Sequence, residues 1–210
     1  MNMAIIYLVR HAESVANTKG IYQGQTYDTS LSPLGIKQAK ALARTFKNKK
    51  IDRFISSPTK RALCTARYIS DGNSVLIERG VFETNHGKWE GRTKDFVEKN
   101  YNDIYVTWLN TPSKTVFPDG EKFTDTVERV KKFWFDGDWR KDTLIVSHDN
   151  VIRIIVSLIK EMKLDDIWKI KLDSASITTI EKGKKKFFIV KLNDISHLNG
   201  LKANLVNHAL

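Results

Sequence analysis

A single cysteine, Cys64, occurs in the 210 residues, so no internal disulfide is available and stability has to come from a packed core. Prolines number 4 and glycines 11, too few for a Pro- or Gly-rich linker, and no repeat or low-complexity tract divides the chain. No apolar run approaches the roughly 20 residues that a membrane-crossing helix needs. The N-terminus enters a strand by residue 4 and lacks the charged, apolar and small-residue regions of a secretory leader. Together these absences lead to the expectation of a cytoplasmic protein with no membrane partner. Acidic residues are the scarcer charge, 24 against 35 Lys and Arg, which leaves a net charge of +11. The densest basic runs are Lys47-Asn48-Lys49-Lys50 and Lys182-Gly183-Lys184-Lys185-Lys186. The first ends a helix, where cations complement the dipole, and the second reads as a solvated hairpin tip. Neither is interleaved with aromatics of the kind that stack on bases, so no nucleic-acid partner is expected.

Hydrophobic residues make up 41% and aromatics 10%, enough to build a core and exclude disorder as the main state. The pattern predicts strand 4–9, helix 33–47, strand 53–56, helix 59–70 and strand 75–78. A long region over 80–120 carries helical pieces at 94–99 and 103–109. A helix near 121–135, strand 143–147, helix 149–161 and a terminal hairpin over 176–192 follow. Strands alternating with helices imply a mainly parallel sheet covered on both faces. The expected architecture is α/β: a three-layer α/β/α sandwich with an antiparallel edge hairpin. The whole chain, 1–210, reads as one domain, with 80–120 as a small cap anchored by Trp89, Tyr101, Trp108 and Phe117.

Two strand ends carry the chemistry. Arg10-His11 follows the buried-type run Ala4-Ile5-Ile6-Tyr7-Leu8-Val9, and the carboxyl ends of strands are where open α/β sheets bind ligands. His148 directly follows Thr143-Leu144-Ile145-Val146-Ser147, and the two histidines converge if their strands are neighbours. A fixed cation beside a nucleophile suits attack on a phosphoryl group. A third strand end, at Ser56, opens a helix: Ser57 fits the N-cap and Pro58 the first helical position. Arg61 then sits in the first turn, where a cation opposes the helix dipole and makes sense if an anion binds there.

These blocks resemble a known family. Arg10-His11-Ala12-Glu13-Ser14 with Asn17 and Gln23-Gly24 resembles the opening signature of the histidine phosphatase superfamily, the phosphoglycerate mutase-like proteins. Ser56-Ser57-Pro58 with Arg61-Ala62 and Thr65-Ala66 resembles its second arginine motif, and Phe82-Glu83-Thr84-Asn85-His86-Gly87-Lys88-Trp89-Glu90-Gly91 its acid-bearing loop. Pro118-Asp119-Gly120-Glu121, Val146-Ser147-His148 and Ser196-His197-Leu198 are similar to its later motifs, in the family's order and over nearly the whole chain. Two departures stand out: Ala12 replaces the usual glycine, and Cys64 replaces a frequent glutamine. Neither removes a reacting group.

The resemblance implies a role for each residue. His11 is the nucleophile that becomes a phosphohistidine. Arg10, Arg61 and His148 cage the phosphoryl oxygens, with Asn17 as an amide donor. Glu83 protonates the leaving oxygen and then activates water. Gln23, Gly24 and Arg92 complete the substrate site. The implied activity is a phosphomonoesterase acting on a small phosphorylated metabolite. A cofactor-dependent phosphoglycerate mutase is the alternative; Arg92 would then grip a carboxylate and 2,3-bisphosphoglycerate would serve as priming phosphate donor. A catalytically silent phospho-ligand binder is the third reading. No other cofactor is expected. No metal is expected either: Asp28 and Asp149 are ligand types, but no His-X-His or Cys-X-X-Cys pair occurs and the arginines repel a cation. A homodimer is compatible with all of these readings.

Overall fold

The run 4–9 is apolar at every position because its strand is covered on both faces. In β1 (Ala4–Arg10), Ile6 and Leu8 join one buried cluster, while Tyr7 and Val9 join another on the opposite side. Residues 4–203 are described in this computed structural model, so residues 1–3 and 204–210 of the expected 1–210 domain lie outside the described residues. With β2 (Arg53–Ser56), β3 (Val75–Ile77), β4 (Thr143–Ser147), β5 (Ile177–Lys182) and β6 (Phe187–Asp194), β1 forms a six-stranded sheet in the order β3-β2-β4-β1-β5-β6. The pairs β1–β4, β4–β2 and β2–β3 are parallel, while β1–β5 and β5–β6 are antiparallel. This is the expected mainly parallel sheet with an antiparallel hairpin at one edge.

Helices α2 (Pro33–Phe46) and α3 (Lys60–Ser70) supply Ala39, Leu42, Phe46, Ala62, Ala66 and Ile69 to the cluster under Tyr7 and Val9. On the other face α5 (Asn102–Asn110), α6 (Phe123–Asp136) and α7 (Asp149–Ile159) pack Trp108, Phe123, Val130, Ile152 and Ile155 beneath Ile6, Leu8 and Ile145. The short helices α1 (Val15–Thr18) and α4 (Lys94–Asn100) lie in the long connections. In the excursion between β3 and α6, Trp89, Trp108 and Phe117 are buried, each tryptophan edge to face with Phe117, with Trp89–Phe117 centroids 5.1 Å apart and Trp108–Phe117 centroids 5.0 Å apart.

The caps follow the expected chemistry at one helix and depart from it at another. Ser32 caps α2, its hydroxyl accepting from Gly35 N, with Pro33 in the first turn. The expectation that Ser57 caps α3 with Pro58 as first helical residue is corrected. The cap is Thr59, whose Oγ1 accepts from Ala62 N at 3.3 Å. The reason lies in the sheet. Pairing with β4 continues past Ser56, and Ser57 N donates to Val146 O at 3.0 Å, which holds Ser57 extended and delays the helix. Its side chain is thereby released for another role.

Candidate active site

Because β1 and β4 are parallel neighbours with Arg10 opposite Ser147, the two strand-end histidines emerge side by side. The His11 and His148 rings meet edge to face with centroids 5.2 Å apart. The His11 backbone is pinned from both sides: its N donates to Ser147 O at 2.9 Å and its O accepts from Ala175 N at 3.2 Å. His11 Nδ1 lies 2.8 Å from Ala12 O. A carbonyl can only accept, so Nδ1 carries the proton and Nε2 keeps its lone pair. Ala12 is fully buried and its N donates to Thr65 Oγ1 at 3.1 Å, so the extra methyl group relative to glycine is absorbed in the core.

Around His11 lies a small pocket lined by Arg10, Asn17, Tyr22, Gln23, Arg61, Glu83, His86, Asp149 and Asn150 among others. Arg61 is 1% exposed, reaches in from the first turn of α3, and is aimed by Asp28 Oδ1 at 2.8 Å and Gly24 O at 3.1 Å. Arg10 is aimed by Asp149 Oδ1 at 3.1 Å and Leu172 O at 2.6 Å. Two buried guanidiniums on one small cavity form a site for a polyanion.

His148 is fully buried. Its Nδ1 lies 3.2 Å from Arg61 NH2, which can only donate, so Nδ1 accepts and Nε2 carries the proton toward Ser57 Oγ at 2.7 Å. Burial, followed by the Arg61 guanidinium, the adjacent His11 ring and the Arg10 guanidinium, holds His148 well below the ordinary histidine value; it is neutral here. His86 is neutral for a related reason, with burial lowering it to about 4. Its Nδ1–H donates to Gln23 O at 2.9 Å and its Nε2 faces Asn150 Nδ2 at 3.3 Å.

Glu83 is 6% exposed, and burial raises it to about 7; Asp149 pushes the same way, against Thr84 N–H, Arg61 and Arg10. A carboxyl near neutrality can both give and take a proton. The other two glutamates of these motifs are engaged structurally. Glu13 Oε1 accepts from Ser32 Oγ at 2.5 Å. Glu90 accepts from the backbone N–H groups of Gln25, Thr26, Tyr27 and His86. Those bonds, with Thr26 Oγ1, lower its pKa although burial raises it.

The structure thus brings together Arg10, His11, Asn17, Gln23, Arg61, Glu83 and His148. Asn17 Oδ1 accepts from Ser14 N and Oγ, which leaves its amide N–H as the group it can offer. Gln23 donates to Ser14 Oγ at 2.7 Å. Gly24 contributes its carbonyl to Arg61, and a Cβ there would lie 2.0 Å from Glu90 Oε1. Arg92 is not brought in, which corrects the expectation for that residue. It is exposed, its guanidinium rests over the Phe96 ring at 5.0 Å, and it does not line the pocket. Residues not singled out for the site from the sequence include Tyr22, Ser57, His86, Asp149 (named only as a metal-ligand type), Asn150 and Arg153. His86 lies in a motif already quoted, and its neighbours there gave the only signal that could have found it. Among the described residues, no group of three or more His, Cys, Asp or Glu side chains is arranged to hold a metal ion.

The model of the histidine phosphatase superfamily (branch 1) matches residues 6–195. A phosphoserine phosphatase 1 of Hydrogenobacter thermophilus is 34% identical over 201 residues, 93% of this chain and 95% of that protein. A 2,3-bisphosphoglycerate-dependent phosphoglycerate mutase of Thermoplasma acidophilum is 28% identical over 85% of this chain and 88% of its own. A crystal structure of a mutant phosphoserine phosphatase from Entamoeba histolytica in complex with phosphoserine superimposes with a TM-score of 0.83. It is 30% identical, over 93% of this chain and 100% of that one.

Proposed function

The chain belongs to the histidine phosphatase superfamily, branch 1, and from that premise we propose that it is a phosphatase of small phosphorylated metabolites working through a phosphohistidine. One observation carries the reading: His11, whose tautomer with Nδ1–H on Ala12 O makes Nε2 the basic ring nitrogen, lines a pocket together with two buried arginines and Glu83. In the first step Nε2 attacks phosphorus. The bond to the leaving oxygen breaks as the Glu83 carboxyl gives that oxygen its proton. In the second, the Glu83 carboxylate takes a proton from water, the water oxygen attacks phosphorus, and the Nε2–P bond breaks. Arg10 and Arg61 hold the phosphoryl oxygens throughout, and their charge grows in value as the site closes to water. With charge supplied by guanidiniums, the chemistry calls for no metal.

The mutase is the second reading, kept because the Thermoplasma relative bears that name. The position of Arg92 favours the phosphatase. The cations lining the pocket are Arg10 and Arg61, both used by one phosphoryl group, whereas a mutase also has to grip a carboxylate. A panel of phosphorylated metabolites that includes phosphoserine, with phosphate release and 3-to-2-phosphoglycerate conversion followed in parallel, tests both. We expect phosphate release, acid-labile phosphate trapped on His11, and no turnover in His11→Ala. An intact rate in that variant would sink the covalent route, and conversion without release would establish the mutase.

A further inference from the structure

A buried carboxylate in a pocket for a dianion needs an explanation. Asp149 lines the pocket beside Arg10, and a negative charge there opposes a phosphoryl group. Left with Arg10 alone, it would also cancel the positive charge that the ligand needs.

Arg153, one turn along α7 and 5% exposed, resolves this. Its Nε donates to Asp149 Oδ2 at 2.6 Å and its NH2 reaches Oδ1 at 3.4 Å. Its NH1 donates to Ile167 O at 3.1 Å and to Ile170 O, and its guanidinium lies 5.3 Å from the Trp168 ring centre. Every nitrogen of the fork is engaged, so the side chain is locked and Asp149 is locked with it. Asp149 meets Arg10 NH1, which also donates to Leu172 O. Carbonyls 167, 170 and 172 belong to one segment, so both arginines are referenced to the same backbone. The three side chains form a row of alternating charge, and its net charge is that of one cation.

We infer that Asp149 and Arg153 are a positioning pair for Arg10. The carboxylate sets the orientation of the Arg10 guanidinium, and Arg153 balances that carboxylate so that Arg10 stays cationic toward its ligand. The inference rests on the proposed function only in taking that ligand to be a phosphoryl group.

The test is a double-mutant cycle with Arg10→Ala. Asp149→Asn keeps the shape and an acceptor for Arg153 but turns an N–H donor or a neutral oxygen toward Arg10. If Asp149 acts through Arg10, this change lowers kcat/KM about tenfold or more in the otherwise wild-type protein and less than about twofold when Arg10 is already absent. The same is expected of Arg153→Met. Because that variant leaves Asp149 unbalanced and threatens folding, Arg153→Met with Asp149→Asn, which removes both charges, is carried through the cycle beside it. Equal losses in both backgrounds would mean that the pair merely holds the 164–172 segment in place, and would overturn the inference. Calorimetric binding of inorganic phosphate repeats the cycle without turnover. A protein that binds phosphate with the expected coupling but hydrolyses no ester would refute the proposed function and leave the positioning pair intact.

Discussion

Glu83 is the residue whose environment changes its chemistry most legibly. Its folded value, about 7, lies above the ordinary 4.5 because the carboxyl is buried, so the folded chain keeps a proton that the unfolded chain releases. The stability this contributes is fully present below about pH 4.5 and is lost as pH rises through 7. The difference corresponds to roughly 3 kcal/mol. Glu83→Gln, which cannot ionise, should therefore gain on the wild type between pH 5 and pH 8 by about that amount in urea denaturation. An unchanged gap across that range would contradict the buried acid. Activity should run the other way. On substrates with alkoxide leaving groups, kcat/KM of the wild type should fall as pH rises past about 7, and Glu83→Gln should be slow at every pH. Aryl phosphates with acidic phenols should suffer less in the first step, giving a burst before a slow steady state. Equal slowing of both substrate types without a burst would remove Glu83 from the role.

At the level of elements, local propensity and tertiary packing disagree at Gly35. It lies inside α2, where alanine is preferred by about 1 kcal/mol. A Cβ there, however, would lie 1.9 Å from Glu13 O, and that carbonyl also accepts from Ser32 N at 2.9 Å. The helix start is thus packed directly on the turn that follows His11. Gly35→Ala should lower the melting temperature despite its helix preference, and phosphate binding should weaken with it; an increase in Tm would show that the turn can yield. The start of α3 teaches the same lesson in another form. Ser57-Pro58 has the right residues for a cap, and a cap is what local chemistry predicts. Sheet pairing to Val146 takes precedence, and Ser57 becomes a hydrogen-bond partner of His148 while Thr59 caps the helix.

On the scale of the whole molecule, the sheet order decides that distant motifs meet. β1 and β4 are 133 residues apart in the chain, from Arg10 to Thr143, yet they are neighbours in the sheet. The excursion between β3 and α6 closes over their ends on an aromatic cluster. No helix among the described residues is long and apolar enough to cross a membrane. The proposed charge stabilisation, from Arg10 at the end of β1 and Arg61 in the first turn of α3, should be indifferent to chelators. Activity is expected to survive EDTA unchanged, and a loss reversed by zinc, magnesium or manganese would require a different mechanism.

Periodicity and motif order in the chain were sufficient for the sheet strands and the helices other than the short α1 to within a few residues, for the parallel sheet with its antiparallel hairpin, and for the family. Strand ends and a helix start also marked Arg10, His11, Arg61 and His148, because these are local features that local residues announce, whereas Glu83 came only from the resemblance of its loop to the family's acid-bearing loop. Tertiary structure alone decided what each of those groups faces. Asp149 reads only as a possible metal-ligand type until Arg10 and Arg153 are placed on either side of it. Arg92 reads as a substrate contact until its guanidinium is found on Phe96. His86 gives no sign of neutrality until Gln23 and Asn150 flank it. Charge state, tautomer and direction depend on burial and on partners up to 162 residues away, as between Arg10 and Leu172, and no window of sequence contains both ends of such a contact.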